Sequence, residues 1–215
     1  MRKILLGLLV LSVFALMGCA DDGEVTTNPV VAVDPLIGTW KSACEPDDAA
    51  DPTGDHTIET YVFTASSLSG VMKMYGDTTC DAAAQNMTMY FDGTYTDGTS
   101  DTFTTGDNSG DTFTNIDLTI TSVKVEANSA GAVTQLSQGF CGIVDWVEDV
   151  SQDVSAIMGT PAGAASGCDF IPIDVPMLSI YSLQTNNTIL YLGLDSADPT
   201  VDRSTALDPT PLVKQ

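Results

Sequence analysis

The sequence predicts a mainly β protein, built as an antiparallel barrel, with a β-sandwich as the alternative. Three observations predict it. About eight or nine short segments alternate apolar and polar residues, and Asp, Gly, Asn and Pro separate them. Thr and Val favour strands, whereas Lys and Arg are scarce. One segment alone, 142–158, carries apolar residues at helical spacing.

The elements follow in chain order. The domain begins at Leu36-Ile37-Gly38-Thr39-Trp40-Lys41, and a turn-rich acidic loop occupies 46–55. Residues 58–64 read as a strand. A second strand spans 70–75, with Val71, Lys73 and Tyr75 on one face and Met72 and Met74 on the other. After a turn at 77–80, Met87, Met89 and Phe91 alternate with Thr88 and Tyr90 in a third strand that ends at Asp92-Gly93. The near-repeat Asp101-Thr-Phe-Thr104 and Asp111-Thr-Phe-Thr114 flanks a Gly-rich turn and predicts a hairpin. Ile116, Leu118 and Ile120 then alternate with Asp117, Thr119 and Thr121. The apolar parity changes at Ser122, so Val123 and Val125 continue this strand through a bulge.

Ile143, Val147, Val150, Val154 and Ile157 predict a helix over 142–158, stopped by Gly159 and Pro161. Residues 162–167 are small and flexible. Strands are expected at 171–173 and 177–183, and 188–194 closes the sheet. Asp-Pro and Thr-Pro pairs predict an irregular tail from 195 onward.

The N-terminus carries a different message. Arg2 and Lys3 precede an apolar run of about fourteen residues, shorter than the ~20 that a bilayer span needs. Leu16-Met17-Gly18-Cys19 follows and resembles the lipobox of bacterial lipoproteins. That resemblance implies cleavage before Cys19 and diacylglycerol on its thiol. The expected organisation is a signal peptide at 1–18, a lipidated tether at 19–35, and a single β-rich domain at 36–215 that includes the irregular tail. Ala20, rather than Asp, follows the cysteine, which by the sorting rule for such lipoproteins points to the outer membrane.

Arg2 and Lys3 fall in the signal, leaving 29 acidic residues against 5 Lys and Arg, a formal charge of −24. Such a charge opposes nucleic acid as a partner and keeps the surface solvated. Beyond Cys19, four cysteines remain: Cys44, Cys80, Cys141 and Cys168. An even number in an exported chain predicts disulfides. The two local pairings, Cys44–Cys80 and Cys141–Cys168, are preferred. A zinc site is disfavoured, because no pair has C-x-x-C spacing and His56 is the only histidine.

Gly38-Thr39-Trp40, near the start of a strand-rich domain, resembles the Gly-x-Trp signature of lipocalin-like barrels. The stretch Leu190-Tyr-Leu-Gly193, with Arg203 and Leu207-Asp208 beyond it, is similar to the closing segment of lipocalin-like lipoproteins. The resemblance implies that Trp40 closes one end of the barrel against Arg203. It also implies an interior, lined by Met, Phe and Tyr, that takes a small apolar ligand.

The sequence offers no catalytic set. His56 is read as a loop or strand-edge residue, and Gly106-Asp107-Asn108-Ser109-Gly110 as a turn. There is no zinc-protease, phosphate-loop or dinucleotide motif. The acidic stretches 92–101 and 107–111 match no calcium loop. No cofactor or metal is expected. The partners expected are a membrane, through lipid on Cys19, and an apolar small molecule. The alternative is a surface or structural lipoprotein that meets another macromolecule.

Overall fold

The computed structural model describes residues 34–48, 50–104, 108–168, 171–194 and 198–215. The expected signal at 1–18, Cys19, and the tether as far as residue 33 lie outside the described residues.

The protein is mainly β. Among the described residues the ten strands are β1 (Gly38–Lys41), β2 (Glu45–Pro46), β3 (His56–Phe63), β4 (Ser67–Tyr75), β5 (Gln85–Thr102), β6 (Thr112–Ala127), β7 (Ser151–Asp153), β8 (Pro176–Gln184), β9 (Ile189–Leu192) and β10 (Leu212–Lys214). Two short helices, α1 (Ala130–Leu136) and α2 (Pro161–Ala165), lie between β6 and β8. All strand pairings are antiparallel.

The hydrogen-bonded path closes on itself. Pairing runs from β1 through β3, β4, β5, β6, β8, β9 and β10, and β10 returns to β1. Neighbours in this ring are neighbours in sequence once β2 and β7 are set aside, and closure leaves these strands without an open edge along the seam. The seam is short. Trp40 faces Lys214 and Lys41 faces Val213 across it, and Leu212 faces Leu190 on the other side. Sequence reading placed the closing strand at 188–194. That segment forms β9, but the tail returns and supplies β10, the actual closing strand. Three residues are too few to show a period, yet Leu212 is buried.

The longest strands correct a second expectation. β5 does not end at Asp92-Gly93; it continues to Thr102. Gly93 is a close-approach residue rather than a turn residue: a Cβ there would lie 2.4 Å from the Thr119 carbonyl. The register shift falls at the same place, since Asp92 faces Ser122 while Gly93 faces Ile120. This is the bulge that the parity change at Ser122 predicts. The near-repeat forms the end of the β5–β6 hairpin, with Thr102 opposite Thr112 and Ser100 opposite Thr114.

The helix expected over 142–158 is not formed. A 3-10 turn at Phe140–Gly142 leads into the segment, which contains strand β7, paired with Lys124–Glu126 of β6. The predicted stripe is split: Val147 and Val150 are 55% and 49% exposed, whereas Val154 is buried with Trp146 and Met158, and Ile143 and Ile157 pack against the core. Three β-branched valines resist helix formation, and Asp149 adopts a left-handed backbone conformation. The helices form where composition gave little apolar signal. Ser129 caps α1 by accepting from Ala132 N, and Thr160 caps α2 by accepting from Gly163 N, with Pro161 in its first turn.

Candidate functional site

Alternation along the strands assigns each side chain to a face. Tyr61, Gly70, Phe91 and Val123 form one inward row across β3 to β6. Phe63, Leu68, Gly93 and Ile120 form the next. Leu36, Trp40, Val123, Val125, Ile116 and Leu190 are almost fully buried. They belong to one continuous cluster, which also takes in Leu136, Trp146, Val154 and Met158 from the segment between β6 and β8. That segment therefore adds apolar side chains to the core. At about 25 cal/mol per Å², such burial is the main favourable contribution to the fold.

Trp40 anchors one end. Its Nε1 donates to the Leu36 carbonyl at 2.7 Å, so the buried indole is satisfied. The cation over its ring is Lys214, with Nζ 4.9 Å from the ring centroid. Lys214 Nζ also donates to the Pro35 carbonyl at 3.0 Å. Gly38 makes room for it: φ is +145°, and a Cβ would lie 2.7 Å from Lys214 Cε. The expected Trp40–Arg203 contact is corrected accordingly. Arg203 donates to the carbonyls of Ile116 and Ser179, at 3.0 and 2.5 Å, and pairs with Asp117 at 2.6 Å. The tail carries Arg203 over β6 and β8, whereas the cross-strand partner of Trp40 is Lys214.

Near the same end lies a group of carboxylates and tyrosines. The Tyr95 hydroxyl donates to the Thr64 carbonyl at 2.5 Å and to Asp34 Oδ2 at 3.2 Å. Burial first, and the Asp34 charge second, push the Tyr95 phenol well above its ordinary value. Tyr181 is pushed up to about 12 by burial and by Asp97. Asp97 itself is raised, by burial first and then by the facing Asp34 carboxylate. Asp34 also accepts from Leu36 N at 2.9 Å, so this cluster fixes the start of the domain.

The outer face carries an open depression of about 340 Å³. Val71, Tyr90 and Lys124 occupy one outward row across it, with Ser69, Asp92 and Glu126 around them. The Tyr90 hydroxyl donates to Glu126 Oε2 at 3.4 Å. A further apolar feature is the run Val144, Val147 and Val150, all exposed, just before β7.

The remaining predicted residues are placed as follows. Both local disulfides are formed, Cys44–Cys80 and Cys141–Cys168, closing sequence separations of 36 and 27 residues. The first ties the β2 region to the turn after β4; the second ties the 3-10 turn to the end of α2. His56 is buried at the first position of β3, and its Nδ1 lies 3.1 Å from the Gly54 carbonyl. Residues 108–110 form a turn, while Gly106 and Asp107 lie outside the described residues. Among the described residues, no group of three or more His, Cys, Asp or Glu is placed to hold a metal. No helix among them is long and apolar enough to cross a membrane. Sequence reading missed the Lys214–Trp40 contact, because the three residues of β10 are too few to show a period. It also missed the Asp34–Tyr95–Asp97–Tyr181 group, which only the closed ring brings together. No protein-family model and no curated protein matches the sequence.

Proposed function

We propose that the protein is a lipid-anchored lipoprotein of the cell envelope with a lipocalin-like barrel. In this reading it acts without catalysis and meets another macromolecule through its outer surface, rather than enclosing a small apolar ligand. The observation that carries the choice is the single apolar cluster that the inward rows form with the 140–158 segment. A binding barrel needs an apolar cavity of about 300 Å³ or more inside; the space of that size described above lies on the outer face. The lipocalin-like reading draws support from Gly38-x-Trp40 on the first strand, from the ring of strands in sequential order, and from a cation of the last strand over Trp40. The anchor rests on the lipobox-like Leu16-Met17-Gly18-Cys19, and Ala20 favours the outer membrane. The exposed Val144, Val147 and Val150 and the outward Val71–Tyr90 pair supply the apolar contacts a partner surface needs.

The test has two arms. Metabolic labelling with an alkyne fatty acid should mark the protein, and Cys19→Ala should lose both the label and membrane retention. Titration with an apolar fluorophore should show no saturable uptake. An unlabelled chain refutes the anchor, and saturable uptake by the folded protein refutes the filled-interior reading.

A further inference from the structure

We propose that Met72, Met74, Met87 and Met89 form a binding site for a soft monovalent metal ion, Cu(I) in the cell. The strand register places them together. Met72 faces Met89 and Met74 faces Met87 across β4 and β5, and all four project to the inward side. Directly opposed side chains on one face start about 5 Å apart, and residues two apart along a strand about 7 Å apart. Each methionine has three rotatable bonds and a polarizable thioether, so four arms on so small a rectangle can turn their sulfurs to one point. Thioethers select Cu(I) over hard divalent ions.

Three further observations fit this ion. Both disulfides are formed, so the four cysteines of the domain present no thiolate, and the methionines are its remaining soft donors. Disulfides belong to an oxidising compartment, where thioethers persist as ligands more readily than thiols. Glu59 occupies the same inward row as Met72 and Met89, and its carboxylate, held by the Tyr61 hydroxyl at 2.9 Å, places negative charge beside the block. The block also has a way in. Met89 is 8% exposed and Met72 and Met87 pack against the core, but Met74 stands outside the core cluster at the half-buried end.

Methionines that merely filled space would be replaceable by leucine without consequence, and the experiment uses this contrast. Ag(I), as silver nitrate in chloride-free buffer, serves as the redox-inert probe. It is added to the full-length protein with its disulfides intact and any free thiol alkylated. Methionine ε-methyl carbon–proton spectra are recorded. The expected result is a saturable shift, complete at one equivalent, of the Met72, Met74, Met87 and Met89 methyls, with Met158 and Met177 unmoved. The variant with all four changed to leucine should keep the far-ultraviolet spectrum and lose affinity by at least about tenfold. If that variant does not fold, Met74→Leu and Met87→Leu singly should each weaken binding. The proposal is overturned by the absence of a saturable shift, by equal shifts at Met158 and Met177, or by leucine variants that bind as tightly as the parent.

Discussion

Gly70→Ala tests whether the interior is as full as the packing implies. Gly70 faces Phe91 across β4 and β5, and the Phe91 ring lies over the bare backbone there. A Cβ at Gly70 would stand 1.9, 2.3 and 2.5 Å from Phe91 Cζ, Cε2 and Cε1. Carbon atoms in contact prefer ~3.5–4.0 Å, so the ring would have to move by roughly 1.5 Å. It has little freedom to do so: Phe91 is 8% exposed and stacks obliquely on Tyr61, with centroids 5.7 Å apart. Overpacking of this kind costs about 1–3 kcal/mol. Replacing glycine within a strand recovers roughly 0.5–1 kcal/mol. An approach as close as 1.9 Å selects the upper half of the overpacking range, so the expected net loss is about 1–2.5 kcal/mol, which for a chain of this size lowers the melting temperature by about 2–10 °C. In a Phe91→Leu background the clash is gone, and Gly70→Ala should be neutral or slightly stabilising. The assay is urea and thermal unfolding followed by circular dichroism, with disulfides intact, on both singles and the double. Equal costs in the two backgrounds, or no cost in the parent, would refute the reasoning.

Other predictions follow from the same structure. Replacing Cys44 and Cys80, or Cys141 and Cys168, by alanine should each cost about 3–4 kcal/mol on the loop-entropy model, read from urea midpoints; losses below ~1 kcal/mol would show that the bridge is strained or redundant. Lys214→Ala should alter the tryptophan fluorescence and cost roughly 0.5–2 kcal/mol, whereas Arg203→Ala should leave the emission unchanged; the reverse pattern would contradict the Lys214–Trp40 contact. Asp97 has a raised pKa in the folded protein, so its contribution is fully present below the ordinary value of 3.8 and is lost as pH rises through the raised one. Asp97→Asn should therefore flatten the fall in melting temperature from pH 4 upward, and an unchanged slope would show that Asp97 does not face Asp34 as described.

The sequence made some elements legible and hid others for physical reasons. β3, β4, the first half of β5, and β6 are sheet strands with one wet face, so a period of two appears in their residues. Even the bulge left a trace, because one extra residue inverts the apolar parity after Thr121. The 142–158 segment misled because spacing alone cannot report conformation: residues at helical intervals lie in a non-helical chain, where Val147 and Val150 face water and Val154 is buried. The helices α1 and α2 are short and rich in Ala and Gly, and only their capping residues Ser129 and Thr160 mark them. The candidate site was least legible. A ring brings together Asp34, Asp97 and Tyr181 from far apart in the chain, and the identity of the cation over Trp40 depends on which tail segment pairs with β1. The disulfides were readable because four cysteines admit only three pairings, and the two local ones close short loops.

Native mass spectrometry of the protein, purified in mild detergent from its own host, tests the central claim most directly. The account predicts a chain starting at Cys19 and carrying a covalent acyl anchor. Its other four cysteines are oxidised, and no small apolar molecule is released on denaturation. A stoichiometric lipid lost on denaturation, or a chain without the anchor, would contradict it.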